Sequence, residues 1–262
     1  MRLLFLGDVV GRPGRRALAA FLPRLMARES IQFVIANGEN ASGGKGIDPR
    51  SAEELYESGV DVVTTGNHVW QNRDIIPYMR ETDRLLRPLN FARDVPGLGW
   101  TVQTARRSDV RVGVLNLIGR VFMPPAECPF RAGAEAVEEL RRHSSVIVVD
   151  MHAEATSEKV GMGRFLDGKV SAVFGSHTHV QTADEGILPG GTAYLTDAGM
   201  CGPEDSVLGV KTEPVLQRFL TQMPARFDVA TGTVIVQGGI VDVDEATGRA
   251  SAIRRVRERV EM

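Results

Sequence analysis

Val170-Ser-Ala-Val-Phe-Gly175-Ser-His177-Thr-His179-Val180 is the stretch on which the fold turns. A short apolar run, Val170 to Phe174, stops at Gly175 and empties into two histidines one residue apart. The chain holds five histidines in all, so two within three positions is a concentration. A strand that ends in His-x-His presents two imidazoles at one sheet edge, a ready pair of metal ligands. The stretch alone also admits a plainer reading, one buried hydrogen-bonding histidine and one surface histidine. Four other strand ends decide between the two.

Upstream, Arg2 to Gly7 is a strand whose continuous apolar run, Leu3 to Leu6, fits burial on both faces, and it stops at Gly7-Asp8. Ile31 to Ala36 repeats the pattern and ends in Asn37-Gly38-Glu39-Asn40. Val60 to Thr64 ends in Thr65-Gly66-Asn67-His68, and Val146 to Val149 ends in Asp150-Met151-His152. Between these strands the punctuation is helical. Pro13 suits a first helical turn, with a helix through Ala17 to Leu22 that Pro23 kinks or ends. Asp48-Pro49 reads as an N-cap and first-turn proline for a helix over Arg50 to Glu57, closed by Gly59. Further helices are expected near Arg73 to Arg80, over Gly133 to Arg142 and over Thr212 to Gln222.

From Trp100 the pattern changes to hairpins. Trp100 to Ala105, a polar turn at Arg107 to Asp109, and Val110 to Ile118 form one; Thr233 to Val243, a turn at Thr247-Gly248, and Arg249 to Val260 form the last. Gly119 to Arg131 reads as a long loop, and Ala193 to Leu195 as a short strand ending at Thr196-Asp197. No repeat or linker interrupts residues 1–262, which read as a single domain. Strand–helix alternation followed by hairpins predicts an α/β fold: two mixed β-sheets packed face to face with flanking helices, an α/β/β/α sandwich.

The bulk composition narrows the function. With 43% hydrophobic and 24% charged residues, the chain of 262 is that of an ordinary globular protein. A formal net charge of −2 argues against extensive duplex nucleic-acid binding. Of 31 basic residues only Lys45, Lys159, Lys169 and Lys211 are lysine, leaving 27 arginines, a bias that genome composition explains at least as well as phosphate binding. Cys128 and Cys201 make no CxxC and no disulfide framework, and no segment is long and apolar enough for a signal or a membrane span. A cytoplasmic protein is the expectation.

Aligned at their carboxyl ends, the strands deliver Asp8, Glu39 with Asn40, Asn67 with His68, His152, and His177 with His179. Sites in α/β sheets form at that edge. A mixed oxygen and imidazole set without cysteine suits Mn, Fe, Zn or Mg, and the set is large enough for two ions sharing a carboxylate, an arrangement used for phosphoryl hydrolysis. Other templates fail on spacing. Gly7-x-x-x-Gly11-x-x-Gly14 is not the dinucleotide fingerprint, Gly175-Ser-His is not a nucleophile elbow, and Val10 stands where an aspartyl-phosphate enzyme wants a second Asp.

The order Gly7-Asp8, Gly38-Glu39-Asn40, Gly66-Asn67-His68, His152 and Gly175-Ser-His177-Thr-His179 resembles the calcineurin-like metallophosphoesterases. Two departures from that pattern, Val10 for a histidine and Glu39 for the bridging Asp, are similar to its YmdB-like branch. The matching blocks are Leu-Gly-Asp-Val-Val-Gly, Asn-Gly-Glu-Asn-Ala, Thr-Gly-Asn-His, His-Ala-Glu-Ala-Thr-Ser-Glu-Lys and Gly-Ser-His-Thr-His-Val, spanning residue 3 to about 202. The resemblance implies two divalent or trivalent metal ions, Fe, Mn or Mg with Zn admissible. It implies Glu39 as the bridge, Asp8, Asn40 and His179 around one ion, and Asn67, His152 and His177 around the other. Asn40 is the candidate to replace the ligand lost at Val10. His68 is implied as the general acid and a water bridging the ions as the nucleophile. The implied substrate is a 2′,3′-cyclic nucleotide cleaved at the 2′ ester to the 3′-nucleotide, and a homo-oligomer is implied too. A broad phosphomonoesterase, or a nucleotide-binding regulator with little turnover, are the alternatives.

Four features are left outside the site or open. His143 sits at a predicted helix C-terminus, where it serves the dipole. Asp150 and Asp197 either orient histidines or make turns. Gly43 to Gly46 reads as an ordinary loop ahead of a phosphate-binding turn. Arg255, Arg257 and Arg259 share one face of the last strand as a charged edge guard.

Overall fold

The first strand, β1 (Arg2–Leu6), is buried because its two faces serve two different cores. Leu4 and Leu6 point to the helices, while Leu3 and Phe5 point to a second sheet. This period-two split turns an unbroken apolar run into a central strand. The structure, a computed structural model, describes residues 1–106 and 108–261. Arg107, in the turn predicted at Arg107 to Asp109, lies outside the described residues.

In chain order the elements are β1, β2 (Asp8–Val9), α1 (Gly11–Glu29), β3 (Phe33–Asn37), α2 (Pro49–Ser58), β4 (Val62–Thr64), α3 (Ile75–Glu81), β5 (Trp100–Thr104) and β6 (Arg111–Ile118). They continue with α4 (Pro129–Leu140), β7 (Val146–His152), α5 (Thr156–Leu166), β8 (Ala172–Ser176), β9 (Gly186–Ile187), β10 (Ala193–Leu195), β11 (Met200–Pro203), α6 (Thr212–Thr221), β12 (Val234–Val243) and β13 (Ala250–Val260). One sheet runs β2-β11-β12-β1-β3-β4, with β13 on the outer side of β12. The other runs β5-β6-β7-β8-β10-β9. Both sheets are mixed: β1, β3 and β4 are parallel, as are β6, β7 and β8, while β12–β13 and β5–β6 are the antiparallel hairpins expected from the sequence.

Three apolar layers hold this together. Leu18, Leu22 and Leu25 of α1 and Leu55 of α2 cover one sheet. Val137 and Leu140 of α4 and Met162 and Leu166 of α5 cover the other. Between the sheets, Phe5 of β1 stacks on Phe174 of β8 with ring centroids 4.7 Å apart and planes 6° apart. Both rings are almost fully buried. Phe174→Ala is expected to cost about 3–5 kcal/mol of unfolding free energy, read as a shifted urea midpoint at an unchanged slope.

The predicted α/β/β/α sandwich is what forms, with local corrections. α1 does not end at Pro23; it begins at Gly11 and runs to Glu29. The bond that Pro23 cannot donate would have gone to Ala19, which is exposed, while buried Leu22 and Leu25 on either side hold the helix to the sheet. α4 starts at Pro129, inside the segment expected to be loop, because extended Cys128 sets up a first-turn proline. α5 is absent from the sequence expectation, since Gly161 and Gly163 weaken its helical signal and one of its buried positions is a lysine. Arg255, Arg257 and Arg259 lie on the edge strand β13, paired with Glu185 and Glu204, as an edge guard should.

Candidate metal centre

Parallel pairing within each sheet sends the carboxyl ends of β1, β3, β4, β7 and β8 to one edge of the sandwich. There the chain supplies Asp8 just past β1, Glu39 and Asn40 past β3, Asn67 and His68 past β4, His152 at the end of β7, and His177 and His179 past β8. All eight residues singled out in the sequence come together in one contiguous network.

Glu39 stands in the middle, 1% exposed. Its Oε1 is 3.2 Å from His152 Nε2, 3.3 Å from His68 Nδ1 and 3.4 Å from Asn40 Nδ2. Its Oε2 accepts the His68 backbone N–H at 3.0 Å. On one side, His152 Nε2 faces Asn67 Oδ1 and His177 Nδ1, each at 3.1 Å. Donor atoms of Glu39, His152 and His177 all lie within 4.8 Å of one another. On the other side, His179 Nε2 is 3.0 Å from Asn40 Nδ2 and 3.6 Å from Asp8 Oδ1. Asn40 turns its Oδ1 to His68 Nδ1 at 3.0 Å.

In His152, His177 and His179 the ring nitrogen that faces away from the centre is engaged, which fixes the one facing inward. His152 Nδ1 is 2.9 Å from Ser176 Oγ, whose hydroxyl donates to Asp150 Oδ1 at 2.6 Å. Asn37 Nδ2 and Thr64 Oγ1 donate to the other oxygen of Asp150. His177 Nε2 is 3.1 Å from Glu154 Oε2, and His179 Nδ1 is 2.9 Å from the Leu208 carbonyl. Three rings are thereby held with one nitrogen each turned toward the carboxylates.

The field at this point favours positive charge. Burial alone would lower the His152 pKa, yet the Glu39 carboxylate and its hydrogen bond, with Asp8 and Asp150 adding, push it up to about 9. Burial likewise opposes ionisation of Glu39, and the His152 and His68 contacts outweigh it, so its carboxyl sits well below the usual range. Asp8 is also lowered: burial raises it, and the His179 ring beside it, 3.6 Å away, overcomes that. Burial, then the neighbouring charge of His152, brings His177 down to about 4, leaving it neutral and able to donate a lone pair at pH 7. Among the described residues, Asp8 Oδ1 is fully buried with no hydrogen-bond partner. A buried carboxylate oxygen without a donor beside inward-facing imidazoles is a donor set that fits a cation.

Two face-to-face mixed sheets carrying this donor set at their strand ends define the calcineurin-like metallophosphoesterase class. Within that class the chain belongs to the YmdB-like family, whose model, described as YmdB-like protein, matches residues 4–256. The chain is 44% identical over 256 residues to a Bacillus subtilis protein named 2′,3′-cyclic-nucleotide 2′-phosphodiesterase, covering 98% of this chain and 96% of that one. It is 36% identical to a Mycoplasma pneumoniae protein named putative phosphatase/phosphodiesterase, covering 98% and 92%. Among solved structures it superposes on a hypothetical protein from Thermus thermophilus at a TM-score of 0.92 and 40% identity, covering 99% of both chains. A structure titled a novel phosphatase from Mycoplasma pneumoniae matches at 0.91 and 34%, covering 100% of this chain and 94% of that one.

His143 lies outside the network, bonded to Glu139 on the surface of α4. Asp150 does orient His152, through Ser176. The sequence reading missed Ser176, Asn37, Thr64 and Glu154. Ser176, Asn37 and Glu154 stand inside the quoted blocks beside the ligands and were open to notice. The Leu208 carbonyl carried no sequence signal, because any residue supplies a backbone oxygen.

Proposed function

We propose that the protein is a dinuclear metal-dependent phosphodiesterase that hydrolyses 2′,3′-cyclic nucleotides to 3′-nucleotides. One observation carries the reading: a single buried carboxylate, Glu39, lies between the Asn67–His152–His177 set and the Asp8–Asn40–His179 set. The name of the Bacillus subtilis relative supports the substrate class and the bond cleaved. Residues 1–262 are taken as one domain on their unbroken strand–helix pattern, cytoplasmic on composition and cysteine usage, and homo-oligomeric on the resemblance. No helix among the described residues is long and apolar enough to cross a membrane.

In this reading Glu39 would be shared between two ions, with Fe, Mn or Mg ahead of Zn; Asp8, Asn40 and His179 would hold one, and Asn67, His152 and His177 the other. Bound there, the ions supply Lewis acidity toward the phosphoryl oxygens and a water nucleophile at neutral pH. The chain's own part is positioning and proton delivery. The His68 backbone is tied to Glu39 Oε2, and its ring to Asn40 through Nδ1. That leaves Nε2 as the nitrogen for substrate. As the oxygen of a water that has lost one proton to solvent bonds to phosphorus and the bond from phosphorus to the 2′ oxygen breaks, His68 gives its proton to the departing 2′ oxygen. The 3′ ester stays intact. His68→Asn is expected to lower kcat roughly 10²-fold at unchanged metal content, read by steady-state kinetics beside metal analysis. A variant that loses metal in parallel with rate would make His68 a ligand-shell residue instead.

Product analysis tests the function itself. The Mn-loaded protein is incubated with 2′,3′-cyclic AMP, 3′,5′-cyclic AMP and a phosphate monoester. Release of 3′-AMP from the first substrate alone is the expected result. The second reading, a broad phosphomonoesterase, is favoured by the names of the Mycoplasma relatives, and it requires inorganic phosphate from the monoester with the cyclic substrates untouched. Two bound metals without turnover on any substrate would leave a nucleotide-binding regulator.

A further inference from the structure

His177 and His179 both have left-handed backbones, with φ of 101° and 63°. L side chains adopt that region only rarely, and two such residues flanking one position is unusual. The residue between them shows what holds them there. Thr178 donates both its backbone N–H, at 3.1 Å, and its hydroxyl, at 2.8 Å, to one oxygen of Asp197. The same oxygen accepts Lys159 Nζ at 2.6 Å. The other oxygen of Asp197 accepts the Gly199 N–H at 2.8 Å, and the Gly199 carbonyl accepts the Asp8 N–H at 3.0 Å. Asp8 in turn accepts the His177 N–H at 3.0 Å. One carboxylate therefore sits behind the His-x-His turn and the backbone of Asp8 at once.

Lys159 holds that carboxylate in place. It lies on α5 with its side chain 1% exposed, as is that of Asp197. Among the described residues the only hydrogen-bond partner of its ammonium is Asp197. A lysine is almost never so buried unless paired, and a buried ion pair is a weak source of stability. Its location, under a strained turn that carries two of the three inward-facing imidazoles, gives it another use.

We propose that the buried Lys159–Asp197 pair is a positioning clamp that holds His177 and His179 in their left-handed conformations and so sets the metal affinity of the centre. The proposal rests on reading those two histidines as ligands. The pair touches neither substrate nor metal; it acts through Thr178 and Gly199. An amide cannot replace the carboxylate, because its single oxygen cannot accept the Thr178 and the Gly199 N–H groups together.

The test is a Mn²⁺ titration of the metal-free protein by calorimetry, beside its metal-free melting temperature. Lys159→Met is expected to weaken Mn²⁺ binding about 10–100-fold, the range for partners of metal ligands, and to regain turnover at saturating Mn²⁺. Lys159→Met also strands Asp197 as a buried lone charge. The double variant Lys159→Met/Asp197→Asn removes that charge and is expected to melt above the single variant, below the parent, while keeping the affinity loss. A double variant that folds and binds Mn²⁺ like the parent overturns the clamp. If neither Lys159 variant folds, Thr178→Val decides, since it deletes one bond to Asp197 from a partly exposed position. A loss of a few-fold in affinity at an unchanged melting temperature supports the clamp, and parental affinity overturns it. A parent that binds no Mn²⁺ defeats the ligand reading itself, and the clamp with it.

Discussion

Glu39→Gln is expected to fold, and to turn over 2′,3′-cyclic AMP at least about 10³-fold more slowly than the parent. The substitution changes almost no volume, so packing around the buried side chain survives. What it removes is the one negative charge shared by both halves of the centre. Stabilisation of transition-state charge at such a centre is worth several kcal/mol, and each 1.36 kcal/mol is tenfold in rate. The amide also brings an NH₂ group to a position where the carboxylate had two acceptor oxygens, one of them taken by the His68 N–H. A second readout separates lost charge from lost fold. Glu39 is the main group holding His152 up near pH 9 against burial. Without it the His152 ring titrates lower in the metal-free variant, which an imidazole NMR titration resolves. A variant that keeps parental kcat would remove Glu39 from the bridge and the dinuclear reading with it.

The sequence carried the fold wherever one residue type served one physical need. Leu3 to Leu6 is apolar on both sides because β1 has a helix layer on one face and a sheet on the other. Asp48-Pro49 capped α2, with the Asp48 carboxylate taking the Ser51 N–H at 2.8 Å. The candidate site was legible for the same reason, since at four of the five strand ends a glycine stands just ahead of the ligands and leaves a sharp break in the apolar pattern. Legibility failed where tertiary packing overrode local preference, as with α1 continuing past Pro23 and α5 forming across two glycines. It failed again where function runs through groups that no motif marks. The Leu208 carbonyl holds His179, and Lys159 looks like a surface residue until its partner is known.

Gly66→Ala is the other large effect expected, and it arises from sterics alone. Gly66 needs no unusual φ, so an alanine suits its backbone. A Cβ placed there, however, lies 2.2 Å from His152 Cδ2 and Nε2 and 2.4 Å from Glu39 Oε2. Neither neighbour has room to yield: both are buried, His152 is tied at Nδ1 to Ser176, and Glu39 Oε2 is tied to the His68 N–H. The methyl must displace the donor atoms themselves. A misplacement of about 1 Å costs on the order of 10²-fold in rate, and here two shared donors move together, so turnover is expected to fall by more than that with Mn²⁺ binding weakened in step. The fold loses less, roughly 1–3 kcal/mol for one overpacked methyl, within reach of a denaturation curve on the metal-free protein. Glycine ahead of Asn67-His68 is thus a clearance requirement: it lets β4 deliver both residues past the imidazole of β7. An alanine variant that binds two Mn²⁺ ions and keeps its turnover would mean that His152 and Glu39 do not meet at the reacting centre, and the assignment of the bridge would have to move elsewhere along the strand ends.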